Sequence, residues 1–336
     1  MDFLSEFSNK KVLVTGGTGF TGSHLLQKLS NSGADVRCIA RKSSTIPESL
    51  SAGVKWIRGD VYDADVVRDA MKDVEYVFHV AACFRDGGAE DEEYRRVHVV
   101  STQLLARAAV KEPSFKRFVH TSTVGVHGHI ANPPANEEAP FNPDDVYQRT
   151  KLEGELWIRE FADQEGLPLA VVRPAAIIGP GDRRLLKLVK LARLGVCPLL
   201  DGHDTCYHLI HVDDLTRCML QLASDPRAKG EVFICGNKES TTLRSMMEVI
   251  GDELGHKVRF ISLPGKQLFI IVDAIEAGSK TLHVPPIIYR RRLAFFTKDR
   301  SFDTTKLSSV LGFVHQFDNE SSLRHTVKWY KESGWI

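Results

Sequence analysis

Two short patterns in this sequence could do chemistry together. Tyr147-Gln148-Arg149-Thr150-Lys151 sets a phenol and an ammonium one helical turn apart, on one face of a helix. An ammonium beside a phenol favours the phenolate and lowers its pKa, and such a phenol can give or take a proton at a carbonyl or hydroxyl oxygen. The spacing alone recurs by chance. It gains force from Thr121-Ser122-Thr123 upstream, where a hydroxyl at a strand end can bond a substrate oxygen.

The second pattern is Thr15-Gly16-Gly17-Thr18-Gly19-Phe20-Thr21-Gly22. Gly16, Gly19 and Gly22 form GxxGxxG between a strand-like run and a helix-like run. Such glycines allow a tight turn and let a pyrophosphate approach the helix N-terminus, where free N–H groups and the dipole favour an anion. A carboxylate usually ends the second strand when the cofactor ribose carries a free 2′-hydroxyl. Here Ala40 is followed by Arg41-Lys42-Ser43-Ser44, two cations and two hydroxyls that suit a 2′-phosphate. The expected cofactor is therefore NADP(H), with NAD(H) also admissible. Asp60 and Val61 follow the third strand, where Asp60 would accept from the adenine amino group or else cap the next helix.

These residues need elements to hold them. Strands are expected at 11–15, 34–40, 54–57, 75–80, 115–121 and 168–173, and helices at 23–31, 63–72, 97–110 and 146–161. Six strands alternating with helices argue for an α/β fold, a doubly wound Rossmann parallel sheet. Past Arg173 the alternation weakens into a smaller C-terminal α+β part, with helices expected at 185–194 and 243–254. The expected division is a dinucleotide-binding domain over 1–180 and a mainly substrate-binding domain over 181–336. Segments near 207–236 would return to the first.

The chain has 336 residues, 43% hydrophobic and 26% charged, enough to bury a sizeable core and incompatible with disorder throughout. Lys and Arg (44) balance Asp and Glu (43), so no bulk field draws nucleic acid or membrane. Six cysteines form no CxxC pair and are expected as reduced thiols in a cytoplasmic protein. The start, MDFLSEFSNKK, lacks the pattern of a secretory signal, and no apolar run is long enough to span a membrane. No ligand spacing suggests a metal. The basic stretch Arg183–Lys190 is expected as a solvated helix face, and Asp213 and Asp214 as a helix cap.

Taken together, TGGTGFTG, Asp60, HVAA (His79 to Ala82), TSTVGVHG (Thr121 to Gly128), YQRTK, RPAAIIGPGD (Arg173 to Asp182) and HVDD (His211 to Asp214) make the chain resemble an extended short-chain dehydrogenase/reductase of the NAD-dependent epimerase/dehydratase superfamily. The resemblance covers essentially the whole chain. It implies a Thr123–Tyr147–Lys151 triad with Tyr147 as acid/base. It also implies cofactor contacts from Gly16, Gly19, Phe20, Thr21, Gly22, Arg41, Asp60, Val61, Ala81, Ala82, Tyr147, Lys151 and Pro174, and a homodimer built on the helices that begin near His98 and carry YxxxK. His98 departs from the family pattern, which often has Asn there.

Two branches compete. Nucleotide-sugar epimerases and dehydratases typically place an Arg just before the HVDD segment to pair with a diphosphate, and they keep NAD tightly bound. Here Tyr207 occupies that place, although Arg183, Arg184 or Arg193 could serve instead. The apolar insert 264–296 and the segments Lys298–Lys306 and Leu311-Gly312-Phe313 resemble the 3β-hydroxysteroid dehydrogenase and dihydroflavonol reductase branch. That reading implies a secondary alcohol or ketone of a mainly apolar molecule, with Phe84, His127 and Tyr207 as candidate substrate contacts. The insert could also pack on the sheet or on a second subunit, and Leu268–Ile275 beside Arg290-Arg291-Arg292 could lie on a membrane surface. A non-catalytic dinucleotide sensor is the remaining alternative, against which the intact triad argues.

Overall fold

The computed structural model describes residues 4–83, 90–282 and 296–336. Its centre is a seven-stranded parallel sheet. The strands are β1 (Lys11–Thr15), β2 (Asp35–Ala40), β3 (Lys55–Arg58), β4 (Tyr76–His79), β5 (Arg117–Thr121), β6 (Leu169–Pro174) and β11 (Val232–Cys235), in spatial order β11-β6-β5-β4-β1-β2-β3. Successive side chains alternate between two buried faces, which is why the strands read as apolar runs. Val12, Val14, Phe78, Val119 and Phe233 meet α1 (Phe20–Asn31) and α7 (Val212–Ser224) on one side. Leu13, Val77, Phe118 and Val171 meet α2 (Ala64–Met71), α4 (Ser101–Ala109) and α5 (Val146–Glu165) on the other. Strand order reverses between β1 and β4, and ligands of such sheets bind at the carboxyl ends there.

The six strands read from the sequence are present within a residue or two. The seventh, β11, has only four residues and no periodicity to announce it; it pairs Val232–Cys235 with Val171–Pro174. The helix expected at 97–110 begins earlier, as α3 (Asp91–Arg95), and passes through a π turn at Arg96–Val100 before α4.

Beyond β6 lie β7 (Ala176–Ile178), α6 (Leu185–Ala192), β8 (Val196–Leu200), β9 (Cys206–Tyr207) and β10 (Leu209–His211). After β11 come β12 (Thr241–Thr242), α8 (Leu243–Leu254), β13 (Arg259–Leu263), α9 (Gly265–Leu282), α10 (Thr305–Leu311) and α11 (Asn319–Glu332). Leu188, Val189, Met247, Ile250, Val327 and Tyr330 build a separate apolar cluster among α6, α8 and α11. The basic residues of α6 lie opposite its buried Leu185, Leu188, Val189 and Ala192. In the apolar insert, α9 buries Val272 beside Leu200 and leaves Ile270 and Ile271 exposed. Among the described residues no helix is long and apolar enough to cross a membrane. All six cysteines are free thiols.

The cap of α7 is corrected. His211, not an aspartate, occupies the N-cap, its Nδ1 accepting from the Asp213 N–H at 3.1 Å. Asp213 instead pairs with Lys28 of α1 at 3.0 Å. Asp214 accepts from the N–H groups of Gln316 and Phe317.

Candidate active site

The turn after β1 is shaped by contacts that only glycine permits. Gly16 has φ +76°, and a Cβ there would lie 2.7 Å from the Ala81 nitrogen. A Cβ on Gly22 would lie 2.2 Å from the Gly16 oxygen. A Cβ on Gly19, by contrast, would meet only the Gly16 oxygen at 3.2 Å, so the outer side of the turn is open. Gly19 is also the N-cap of α1 and offers no capping side chain, which leaves the first-turn N–H groups of Phe20, Thr21 and Gly22 for an anion. The Ala81 N–H donates to Thr15 Oγ1, fixing the loop after β4 against the turn, with Ala82 exposed beyond it. The cradle fits a pyrophosphate.

At the end of β2, Arg41 and Lys42 are exposed. Arg58, at the end of β3, donates through Nη1 to the carbonyls of Arg41 (3.1 Å) and Ser44 (2.7 Å), and so shapes the turn that carries them. Among the described residues no ion pair involves Arg41, Lys42 or Arg58. Asp60 is not the cap of α2; Asp63 is, accepting from the N–H groups of Asp65 and Val66. Val61 lies beside Asp60, partly buried.

The proton-transfer residues sit on α5 and just past β5. Asp145 caps α5, its carboxylate accepting from the Gln148 N–H at 2.9 Å, so Tyr147 lies in the first turn and Lys151 one turn on. Lys151 is buried and donates to the Thr121 carbonyl at 2.5 Å. Burial lowers its pKa to about 8, and the Glu155 carboxylate acts in the opposite sense. Tyr147 remains partly exposed. Thr123 caps the short 3-10 turn Val124–His127, its Oγ1 accepting from the Gly125 N–H at 3.0 Å, so its own hydroxyl proton remains to donate outward. The hydroxyls of Thr121 and Ser122 are buried and have no hydrogen-bond partner among the described residues. Pro174 is buried at the carboxyl end of β6, in register with Cys235.

Beneath Lys151 lies a layer of neutral histidines. His79 bonds Thr15 Oγ1 at 2.7 Å and Thr102 Oγ1 at 3.0 Å, and burial lowers its pKa to about 3. His120 is buried beside it; neither ring nitrogen has a hydrogen-bond partner among the described residues, and burial pushes its pKa well down.

The candidate substrate contacts are placed as follows. His127 is buried; its Nε2 accepts from Arg173 Nη1 at 3.1 Å and its Nδ1 bonds the Pro140 carbonyl at 3.3 Å. Tyr207 is buried in the apolar cluster of the C-terminal part, and burial raises its pKa far above the ordinary value. Phe84 and the run Arg290–Arg292 lie outside the described residues.

One pair escaped the sequence reading. Arg173, fully buried on β6, donates Nε and Nη2 to the Glu155 carboxylate at 2.5–3.2 Å and Nη1 to the Glu137 carbonyl. Glu155 lies one turn beyond Lys151 on α5, a spacing that pointed to it. Among the described residues no cluster of His, Cys, Asp and Glu could hold a metal ion.

The NAD dependent epimerase/dehydratase family model matches residues 12–236. The chain is 28% identical to 3beta-hydroxysteroid-dehydrogenase/decarboxylase isoform 2 of Arabidopsis thaliana, over 94% of this chain and 61% of that one. It is 27% identical to sterol demethylase protein B of Methylococcus capsulatus, over 96% and 99%. Its fold is similar to that of the UDP-glucose 4-epimerase of Thermotoga maritima, with TM-score 0.77 and 22% identity over 96% of this chain and 99% of that one.

Proposed function

Since the chain belongs to the NAD dependent epimerase/dehydratase family, we propose that it is an NADP(H)-dependent reductase or dehydrogenase acting on a secondary alcohol or ketone of a mainly apolar molecule. The observation that carries this reading is the pairing of Tyr147 with a buried Lys151 on one face of α5, next to a glycine cradle. The bound cofactor would supply or accept the hydride at the carbinol carbon. Tyr147 gives a proton to the carbonyl oxygen in reduction and takes it from the hydroxyl in oxidation. Thr123 donates its hydroxyl to the same oxygen and orients it. Below about pH 8 Lys151 is an ammonium, which favours the phenolate through which Tyr147 works.

Three observations favour an apolar substrate over a nucleotide sugar. The place of a diphosphate-pairing arginine is taken by Tyr207, which is buried among apolar side chains. Arg184 is held by Asp182 at 2.9 Å and Arg183 stands over the Trp335 ring at 5.5 Å, which leaves the exposed Arg193 at the end of α6 as the remaining substitute. The two relatives above also bear names of enzymes that act on steroids or sterols.

The deciding experiment is to denature the purified protein and quantify released nicotinamide nucleotide. A protein that emerges empty and then binds NADPH more tightly than NADH is the expected result. Near-stoichiometric NAD would instead mean that the cofactor is reduced and reoxidised within each cycle, as in an epimerase, and would overturn the reductase reading.

A further inference from the structure

His98 sits in the π turn Arg96–Val100, a local widening often found at functional sites, and is 1% exposed. Its ring touches the loop after β4 and α5. Nε2 accepts from the backbone N–H of Cys83, in the loop after β4, at 3.0 Å. A backbone N–H can only donate, so Nε2 carries the lone pair and the ring proton is on Nδ1. Nδ1 lies 2.8 Å from Thr150 Oγ1 on α5. Thr150 in turn donates its hydroxyl to the backbone carbonyl of Val146 at 2.8 Å or of Tyr147 at 3.2 Å. Every donor in this chain points the same way, from Cys83 through His98 and Thr150 into the first turn of α5. The imidazole also stands perpendicular to the Tyr147 ring, centroids 5.3 Å apart.

The turn itself is held from outside. The His98 carbonyl accepts from Thr102 Oγ1 at 2.7 Å, and a Cβ at Gly154 would lie 2.5 Å from that oxygen, so α5 is pressed directly onto the π turn. A proton relay through His98 would need one nitrogen to give up its partner. Among the described residues the groups facing the ring are the Lys151 ammonium, the neutral His79 and His120 and the phenols of Tyr94 and Tyr147, with no carboxylate that would favour imidazolium.

We propose that His98 is a positioning residue for Tyr147: a neutral imidazole, protonated on Nδ1, that ties the loop after β4 to the first turn of α5 and fixes the phenol ring without carrying a proton. The proposal rests on the reading of Tyr147 as the proton-transfer group, but its geometry can be tested without turnover.

Ring nitrogen NMR of histidine-labelled protein, with His98 identified by its loss in His98→Gln, should show a bare Nε2 and a protonated Nδ1 throughout pH 5–9. An Nε2-protonated ring, or one that titrates in this range, overturns the proposal whatever reaction the protein performs. Fluorine NMR of 3-fluorotyrosine-labelled protein, with Tyr147 identified through Tyr147→Phe, should show one sharp line that broadens or splits in His98→Leu. An unchanged line overturns it as well.

Turnover of NADPH with trans-1-decalone, an apolar ketone, adds a graded readout. His98→Leu should lose about 100-fold in kcat at nearly constant KM for NADPH. His98→Asn, which keeps the bond to Thr150, and His98→Gln, which keeps the bond to Cys83, should recover part of the loss. Thr150→Val removes the Nδ1 partner from outside and should shift kcat in the same direction, which guards against a His98→Leu protein that fails to fold. Equal activity in all four overturns the positioning role, whereas full activity in Tyr147→Phe would refute the functional reading alone.

Discussion

On the proposed reading the Tyr147 hydroxyl exchanges a proton with the substrate oxygen while Lys151 stays buried and bonded to Thr121. Tyr147→Phe deletes that oxygen and leaves the helix, its Asp145 cap and the glycine turn intact. Turnover should fall by about 10²–10⁴-fold, the usual worth of a positioned general acid–base, with NADPH affinity nearly unchanged in a fluorescence titration. Full turnover would remove Tyr147 from the mechanism. Arg41 tests the cofactor at the same scale. It is exposed on a turn that Arg58 holds by two carbonyls, so reversing its charge should leave the turn's shape alone. Arg41→Asp should repel a 2′-phosphate and accept a free 2′-hydroxyl, moving the NADPH-to-NADH ratio of dissociation constants by at least about tenfold toward NADH, or roughly 1.4 kcal/mol. An unchanged ratio would mean that this turn does not read the phosphate.

At the scale of elements, α5 carries more than its two named residues. Glu155 and Arg173 tie it to β6 by a buried, bidentate ion pair, and removing Glu155 leaves the buried Arg173 guanidinium without its carboxylate. Glu155→Gln should cost about 3–5 kcal/mol in urea unfolding, and the double change Glu155→Met with Arg173→Met should recover much of it. A loss under about 1 kcal/mol in the single variant would show that Arg173 finds another partner. This pair marks where the sequence stopped being legible. YxxxK, the glycine turn and six strands could be read because each has a local pattern: a helical spacing, a run of small residues, an apolar stretch between turns. Glu155 shares the same helical face as Lys151, but its partner is 18 residues away on a strand, and only the folded sheet brings the two together. The π turn is invisible for a similar reason. RVHVV reads as ordinary helix, and only the fold shows the widening and Gly154 packed on the His98 carbonyl. His127 and Tyr207 were candidates for the substrate from the places they hold in the motifs, and the fold buries both, His127 against Arg173 and Tyr207 in the apolar cluster of the C-terminal part.

Two expectations concern the whole molecule. Leu156 is 44% exposed on α5, beside a Trp157–Phe161 stack that Arg107 of α4 covers, an apolar face suited to a second copy of the same two helices. The native chain should run as a dimer by light scattering, and Leu156→Arg should shift it to monomer; a native monomer would end that reading. The second is acid lability, which arises because the fold buries imidazoles as neutral groups. Burial lowers the pKa of His79 to about 3, of His98 to about 2 and of His211 to about 4, and holds His120 well below the ordinary value. In the unfolded chain each titrates near 6.5, so below that pH the unfolded state binds protons that the folded state refuses. Stability is therefore fully present above about pH 6.5 and is lost as pH falls toward 4, by about 1.4 kcal/mol per pH unit for each such histidine. The urea midpoint should drop steeply between pH 6.5 and 5 with little change in the slope of the transition. His98→Gln should flatten the drop by one proton's worth, since an amide in that position does not titrate. A midpoint that stays level over this range would mean that the histidines are protonated in the folded state, and the neutral layer beneath Lys151 would have to be abandoned along with the tautomer assigned to His98.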